Sequence, residues 1–188
     1  MAAMVRTRFP LLGEPLALDL VNTRVLRGGR TADLLSTPQT LNDWLRAESA
    51  RLPWRGNATR QDVESFRILR DAVTSLLAAH RTGTAPDPLA LATLNRALTT
   101  GPEVQLGWGP SGAELTTGSP QRLLALHLVA FDAVELLTGP ERQLVRTCEH
   151  PECVLQFLAR NPRRRWCSST RCGNRARVAR NYTRHHTR

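Results

Sequence analysis

All four cysteines of this 188-residue chain fall between positions 148 and 172, in two pairs of equal spacing. Four residues separate Cys148 from Cys153, four separate Cys167 from Cys172, and thirteen lie between the pairs. Each short pair can fold into a knuckle that offers two thiolates to one tetrahedral ion. The set therefore reads as one structural zinc ion held by Cys148, Cys153, Cys167 and Cys172. His150 lies inside the first knuckle and could replace a cysteine, but four thiolates already complete the shell. A closed shell leaves no position for water or substrate, which argues against catalysis at the metal. Zinc deaminases pair H-x-E with P-C-x-x-C; His150-Pro151-Glu152 has the form of the first, but the sequence has no P-C-x-x-C to pair with it. No Ser-His-Asp set, glycine-rich phosphate loop or carboxylate pair stands out elsewhere, and His80 and His127 fit core or boundary positions. A non-enzymatic protein is expected, with an active site in the helical part as the less favoured alternative.

The charge distribution supplies the second kind of chemistry. The net charge is +10, yet residues 1–153 hold 16 Arg against 16 acids, and residues 154–188 hold 10 Arg and no acid. The excess thus lies around and beyond the cysteines, where it suits a polyanion: DNA first, structured RNA as the alternative. A bare solvated basic tail is the plainer reading. Candidate nucleic-acid contacts are Arg163, Arg164, Arg165, Arg171, Arg175, Arg177, Arg180 and Arg184. Arg177, Arg180 and Arg184 follow i, i+3, i+7 spacing and form one stripe on a helix. Arg175 is close enough to the last cysteine to brace the knuckle instead. If about five arginines meet phosphates, log K should fall with log salt at a slope near −4 to −5. No apolar run approaches the ~20 residues of a membrane span, and the N-terminus lacks a secretory core, so a cytoplasmic protein with no membrane partner is expected.

These residues must be positioned by the rest of the chain. Leu16 to Thr23 fits a helix or a strand, with helix preferred, and Arg27 to Arg30 is a turn or loop. Thr37-Pro38 is an N-cap followed by proline at the first helical position, with Leu41, Trp44 and Leu45 inward. Pro53 to Ala58 breaks the pattern. Gln61 to Arg81 carries an apolar stripe of Val63, Phe66, Leu69, Val73, Leu76 and Leu77, and Gly83 closes that helix. Asp87-Pro88 opens another, with Leu91, Leu94 and Leu98 inward, and Gly101-Pro102 ends it. Val104, Leu106 and Trp108 alternate before a turn, which predicts a hairpin with Ala113 to Thr117. Ser119-Pro120 caps Gln121 to Thr138, apolar on nearly all sides and so expected at the centre of a bundle. In the cysteine segment Val154 to Leu158 is strand-like, Arg163 to Trp166 returns antiparallel to it, and Gly173 to His185 is helical. Phe157, Trp166 and Val178 are the expected miniature core. The fold class is mainly α with a small β-hairpin (α+β): a helical N-terminal domain over 1–140 and a treble-clef-like zinc module with four cysteine ligands over 141–188.

Asp19, Asn22 and Thr23 are the candidate polar site of the helical part. Their spacing places Asp19 with Asn22 or Thr23 on one helix face, where they could line a ligand pocket or serve the helix itself.

At W-C-S-S-T-R-C-G-N-R the sequence resembles the CGNR zinc-finger family, whose name is the tetrapeptide Cys172-Gly173-Asn174-Arg175. Arg164-Arg165-Trp166-Cys167 matches the same family. L-A-L-D-L-V-N-T, Leu16 to Thr23, is similar to the opening of the ABATE domain that precedes this finger, and Asp43 to Arg46 is compatible with it. The resemblance implies a bacterial, stress-linked transcriptional regulator whose finger binds DNA and whose larger domain senses a small-molecule effector. One departure is Leu158-Ala159-Arg160, where an acidic residue is common in the family. A homodimer would fit operator recognition, although no heptad seam announces one.

Overall fold

Six helices and three two-stranded ribbons make up residues 9–52, 54–99, 101, 104–117 and 121–186, which a computed structural model describes. Helix α1 (Leu16–Val21) is followed by the β1 (Arg24–Arg27) and β2 (Arg30–Asp33) hairpin, then α2 (Pro38–Ala47), α3 (Arg60–Thr82) and α4 (Pro88–Thr99). A second hairpin, β3 (Val104–Gly109) with β4 (Gly112–Thr117), precedes α5 (Gln121–Thr138). A 3-10 turn at Pro140–Leu144 leads to β5 (Val145–Thr147), β6 (Gln156–Leu158) and α6 (Cys172–His186). Each ribbon is antiparallel. The mainly helical α+β class is as expected.

Local chemistry explains the helix boundaries. Thr37 and Thr40 form a reciprocal capping box with Pro38 at the first position of α2, and Thr59 and Asp62 do the same for α3. Such caps stabilise a helix start by about 1 kcal/mol each. Gly83 ends α3 at φ 66°, a left-handed conformation in which a side chain would be strained. The Ser119-Pro120 cap and Pro102 lie outside the described residues, as does Pro53.

Short α1 is the element enclosed on every side: all six residues are buried, and Ala17, Leu18 and Leu20 have no exposed surface. It packs against α3 and α5, together with Leu41, Trp44 and Leu45 of α2. Helix α5, expected at the centre of the bundle, packs against α1, α3 and α4 and buries Ala125, Val129, Ala130 and Ala133, but it is not enclosed all round, since Phe131 is half exposed. Leu91, Leu106 and Trp108 also face solvent, the last two on the outer ribbon β3–β4. Around Arg27–Arg30 the turn lies where expected, at Gly28-Gly29, whereas the strands flanking it are not foreseen from the sequence. They are held to α3 by Arg70, a fully buried guanidinium that donates twice to Asp33 at 2.7 Å and once to Thr23 Oγ1 at 3.1 Å.

Val145 of β5 and Leu158 of β6 belong to the same apolar core as α1, α3 and α5. The cysteine segment is therefore seated on the helical body and shares its core.

Candidate metal centre and nucleic-acid interface

Each knuckle is shaped by backbone hydrogen bonds. Cys148 N–H donates to Leu155 O at 2.9 Å, Cys153 N–H to His150 O at 2.9 Å and Gly173 N–H to Ser168 O at 2.9 Å. These turns bring the four Sγ atoms within 4.8 Å of one another. Cys153 and Cys167 stand 3.8 Å apart, and Cys167 and Cys172 3.6 Å. A tetrahedron with metal–sulfur arms of ~2.3 Å has edges of about 3.8 Å, so these separations fit zinc and are far beyond the ~2.05 Å of a disulfide. The cysteines are free thiols by covalent bonding. Cys167 N–H also points at Cys148 Sγ at 3.4 Å, a donor of the kind that stabilises a metal-bound thiolate.

Crowding four sulfurs together polarises their acidity. The hydrogen bond from Cys167 brings Cys153 down to about 5, and that same bond pushes Cys167 well above the usual thiol range. Burial pushes Cys172 up to about 12. Four thiolates at these distances require a cation, and zinc supplies the charge and the geometry together. His150 is not part of the four-sulfur cluster, and its Nδ1 accepts from Glu152 N–H at 3.2 Å inside the knuckle.

The strand pairing differs from the sequence expectation. β6 pairs with β5, which precedes the first cysteine, in the register Val145–Leu158, Arg146–Phe157 and Thr147–Gln156. The expected partner, Arg163 to Trp166, is irregular because Arg164 turns inward there. Its guanidinium lies 4.3 Å above the Phe157 ring and donates to Glu14 Oε1, Leu158 O, Trp166 O and Cys167 O. The small core consists of Leu155, Phe157 and the cysteines with Trp166 against them, while Val178 is 61% exposed.

The arginines consequently differ in role. Arg164 is a brace for the second knuckle. Arg165 is paired with Glu149 and lies 5.4 Å from the Trp166 ring centre. Arg160, at the departure from the family pattern, pairs with Glu141. Arg163, Arg171, Arg175, Arg177 and Arg180 are exposed. Arg175 bonds no thiolate and instead stands 4.0 Å from Glu152. Arg177 donates to Ser169 O at 3.3 Å, and Arg180 donates to Ala176 O and lies 5.9 Å from the Trp166 ring centre. Each uses one of its five N–H donors and keeps the others. The side chain of Arg184 lies outside the described residues.

Asp19, Asn22 and Thr23 are buried and bonded within the protein. Thr23 Oγ1 donates to Leu20 O and accepts from Arg70. Asp19 takes a 2.6 Å hydrogen bond from Arg51, and burial pushes its carboxyl up to about 6. Asn22 grips β6: its Nδ2 donates to Gln156 O at 2.9 Å and its Oδ1 accepts Gln156 N–H at 2.8 Å. Glu14, which sequence reasoning misses, completes this clamp by accepting Leu158 N–H at 3.0 Å and pairing with Arg164. Nothing in the local sequence marks Glu14, because both of its partners lie more than a hundred positions away.

A helical body carrying a four-sulfur cluster in two knuckles defines a zinc-finger protein. The ABATE family model, described as "Putative stress-induced transcription regulator", matches residues 14–140, and the CGNR zinc-finger model matches residues 145–185. The chain belongs to the ABATE family and carries a CGNR finger with one structural zinc ion. No curated protein matches it. Among the described residues no helix is long and apolar enough to cross a membrane.

Proposed function

We propose that the protein is a DNA-binding transcriptional regulator in which the zinc staple presents α6 and its flanking arginines to the phosphate backbone. One observation carries this reading. From Asn174 onward the described side chains of α6 are exposed except for half-buried Ala176, and Arg177 and Arg180 share one face. A helix with so little packing is poorly explained as part of a core, whereas a cationic helix anchored at its first residue by a metal ligand is suited to lie against a duplex. The family's description as a transcription regulator agrees with it. Response to an effector has a candidate place in the helical body: a groove of about 390 Å³ between α3, α4 and α5, mostly apolar, with His80 and Asn95 at its rim.

The test is a binding titration of zinc-loaded protein against duplex DNA and structured RNA at matched salt. Five exposed arginines (Arg163, Arg171, Arg175, Arg177 and Arg180) predict a slope of log K on log salt near −4 to −5, hence a few hundred-fold loss between 50 and 200 mM. Stripping the metal with a chelator should abolish duplex binding, because a structural zinc contributes ~10 kcal/mol to the folding of its module. Binding that survives metal removal, or a clear preference for RNA, would overturn the proposal.

A further inference from the structure

The geometry points to a second phosphate-contacting element outside the finger: the tip of the β1–β2 hairpin, which with the finger makes one composite nucleic-acid interface. This rests on the DNA-binding reading and extends it to the ABATE domain.

Residues 1–153 are neutral by count, but ion pairing distributes the acids unevenly. Asp71 pairs with Arg24, Asp33 with Arg67 and Arg70, and Asp19 and Glu48 with Arg51. Arg27 and Arg30 are exposed, and their side chains have no hydrogen bond or ion pair among the described residues. They are direct cross-strand partners on either side of the Gly28-Gly29 turn, where both glycines have positive φ. Directly opposed residues project from the same face of a ribbon, and like charges placed so repel each other. An uncompensated cationic pair at a rigid tip costs stability unless an anion lies between or across the two.

The hairpin's surroundings supply the rest of such a site. A cleft of about 560 Å³ separates β1 from the finger, and its walls include Arg27 on one side and Arg171, Asn174 and Arg175 on the other. Three arginines from two parts of the fold thus line one groove. Glu152 also lines it, 4.0 Å from Arg175, and is the one carboxylate among the lining residues. An open groove with a cationic rim suits a chain of phosphodiesters, which can run from α6 across the cleft to the hairpin tip.

The experiment uses full-length, zinc-loaded protein and a short mixed-sequence duplex, titrated between 50 and 200 mM salt. Each phosphate contact adds ~0.9 to the salt slope, about 8-fold in affinity at 0.1 M. R27A/R30A should therefore weaken binding about 10- to 60-fold at 0.1 M and flatten the slope by roughly 2, with zinc content unchanged and the Tm of the free protein no lower than wild type. R27K/R30K should keep most of the slope, and E152Q should tighten binding by a few-fold. If R177A/R180A loses affinity while R27A/R30A keeps both wild-type affinity and slope, the composite interface is wrong and the finger reading stands. If the wild-type protein shows no salt-dependent binding, both fall.

Discussion

Replacing Asn22 by alanine is the sharpest probe of how the finger is held. The side chain makes two hydrogen bonds to the backbone of Gln156, and both lie in a buried environment where water cannot take over. Asn22→Ala leaves one N–H and one C=O of β6 unsatisfied. Each buried, unpaired backbone group costs ~1–3 kcal/mol, so the variant should lose about 4 kcal/mol. For a chain of this length that is a fall in Tm of roughly 8–16 °C. Thermal unfolding of the zinc-loaded protein measures the loss, and hydrogen exchange locates it, since the Gln156 amide should lose protection before amides of α3 do. Asn22→Asp keeps the acceptor for Gln156 N–H but sets a carboxylate against Gln156 O, so it should recover little of the loss. A cost below about 1 kcal/mol, with the Gln156 amide still protected, would refute the clamp, because no arrangement leaving both groups dry is that cheap.

Asp19 and Asp33 give pH and stability predictions of opposite character. Burial raises the Asp19 carboxyl from 3.8 to about 6, so the folded state holds a proton that the unfolded chain releases. Its contribution is present at low pH and is lost as pH rises from about 4 to 6, a change of about 3 kcal/mol; in denaturant titrations Asp19→Asn should remove that downward segment, and an unchanged pH profile would contradict it. Asp33, although partly buried, is held below its usual range by Arg70, so its contribution is present above 3.8 and lost as pH falls. Asp33→Asn should cost roughly 3–5 kcal/mol at neutral pH in the same assay, because it leaves the buried Arg70 guanidinium with only Asp71, at 3.3 Å and half exposed, as its counter-charge.

Where the determining chemistry is local, it is visible in the sequence. The cysteine knuckles, the capping boxes at Thr37 and Thr59 and the stop at Gly83 each depend on a few neighbouring residues. What escapes depends on partners that are far apart along the chain. Asn22 reads as a pocket or capping residue because its mate, Gln156, lies 134 positions away. Three adjacent arginines look alike as letters, yet Arg163 is exposed, Arg164 is half-buried against Phe157 and Arg165 is tied to Glu149. β5 is three residues long, too short for a periodicity signal, and so Arg163 to Trp166 stands out in the sequence as the partner of β6. Apolar alternation at Leu106 and Trp108 identifies the hairpin correctly but not the side it faces.

The seating of Val145 and Leu158 in the main core has a mechanical consequence. A finger on a flexible tether is free of its neighbour; this one is packed into the body through Val145 and Leu158. Cutting the chain near residue 140 would expose Val145 and Leu158 on one fragment and their sockets on the other, so neither piece should behave as it does in the intact protein. The contact between body and finger runs through the ends of α1, where Glu14 and Asn22 hold the edge of β6, so any displacement of α1 is felt at the strand that leads into the second knuckle.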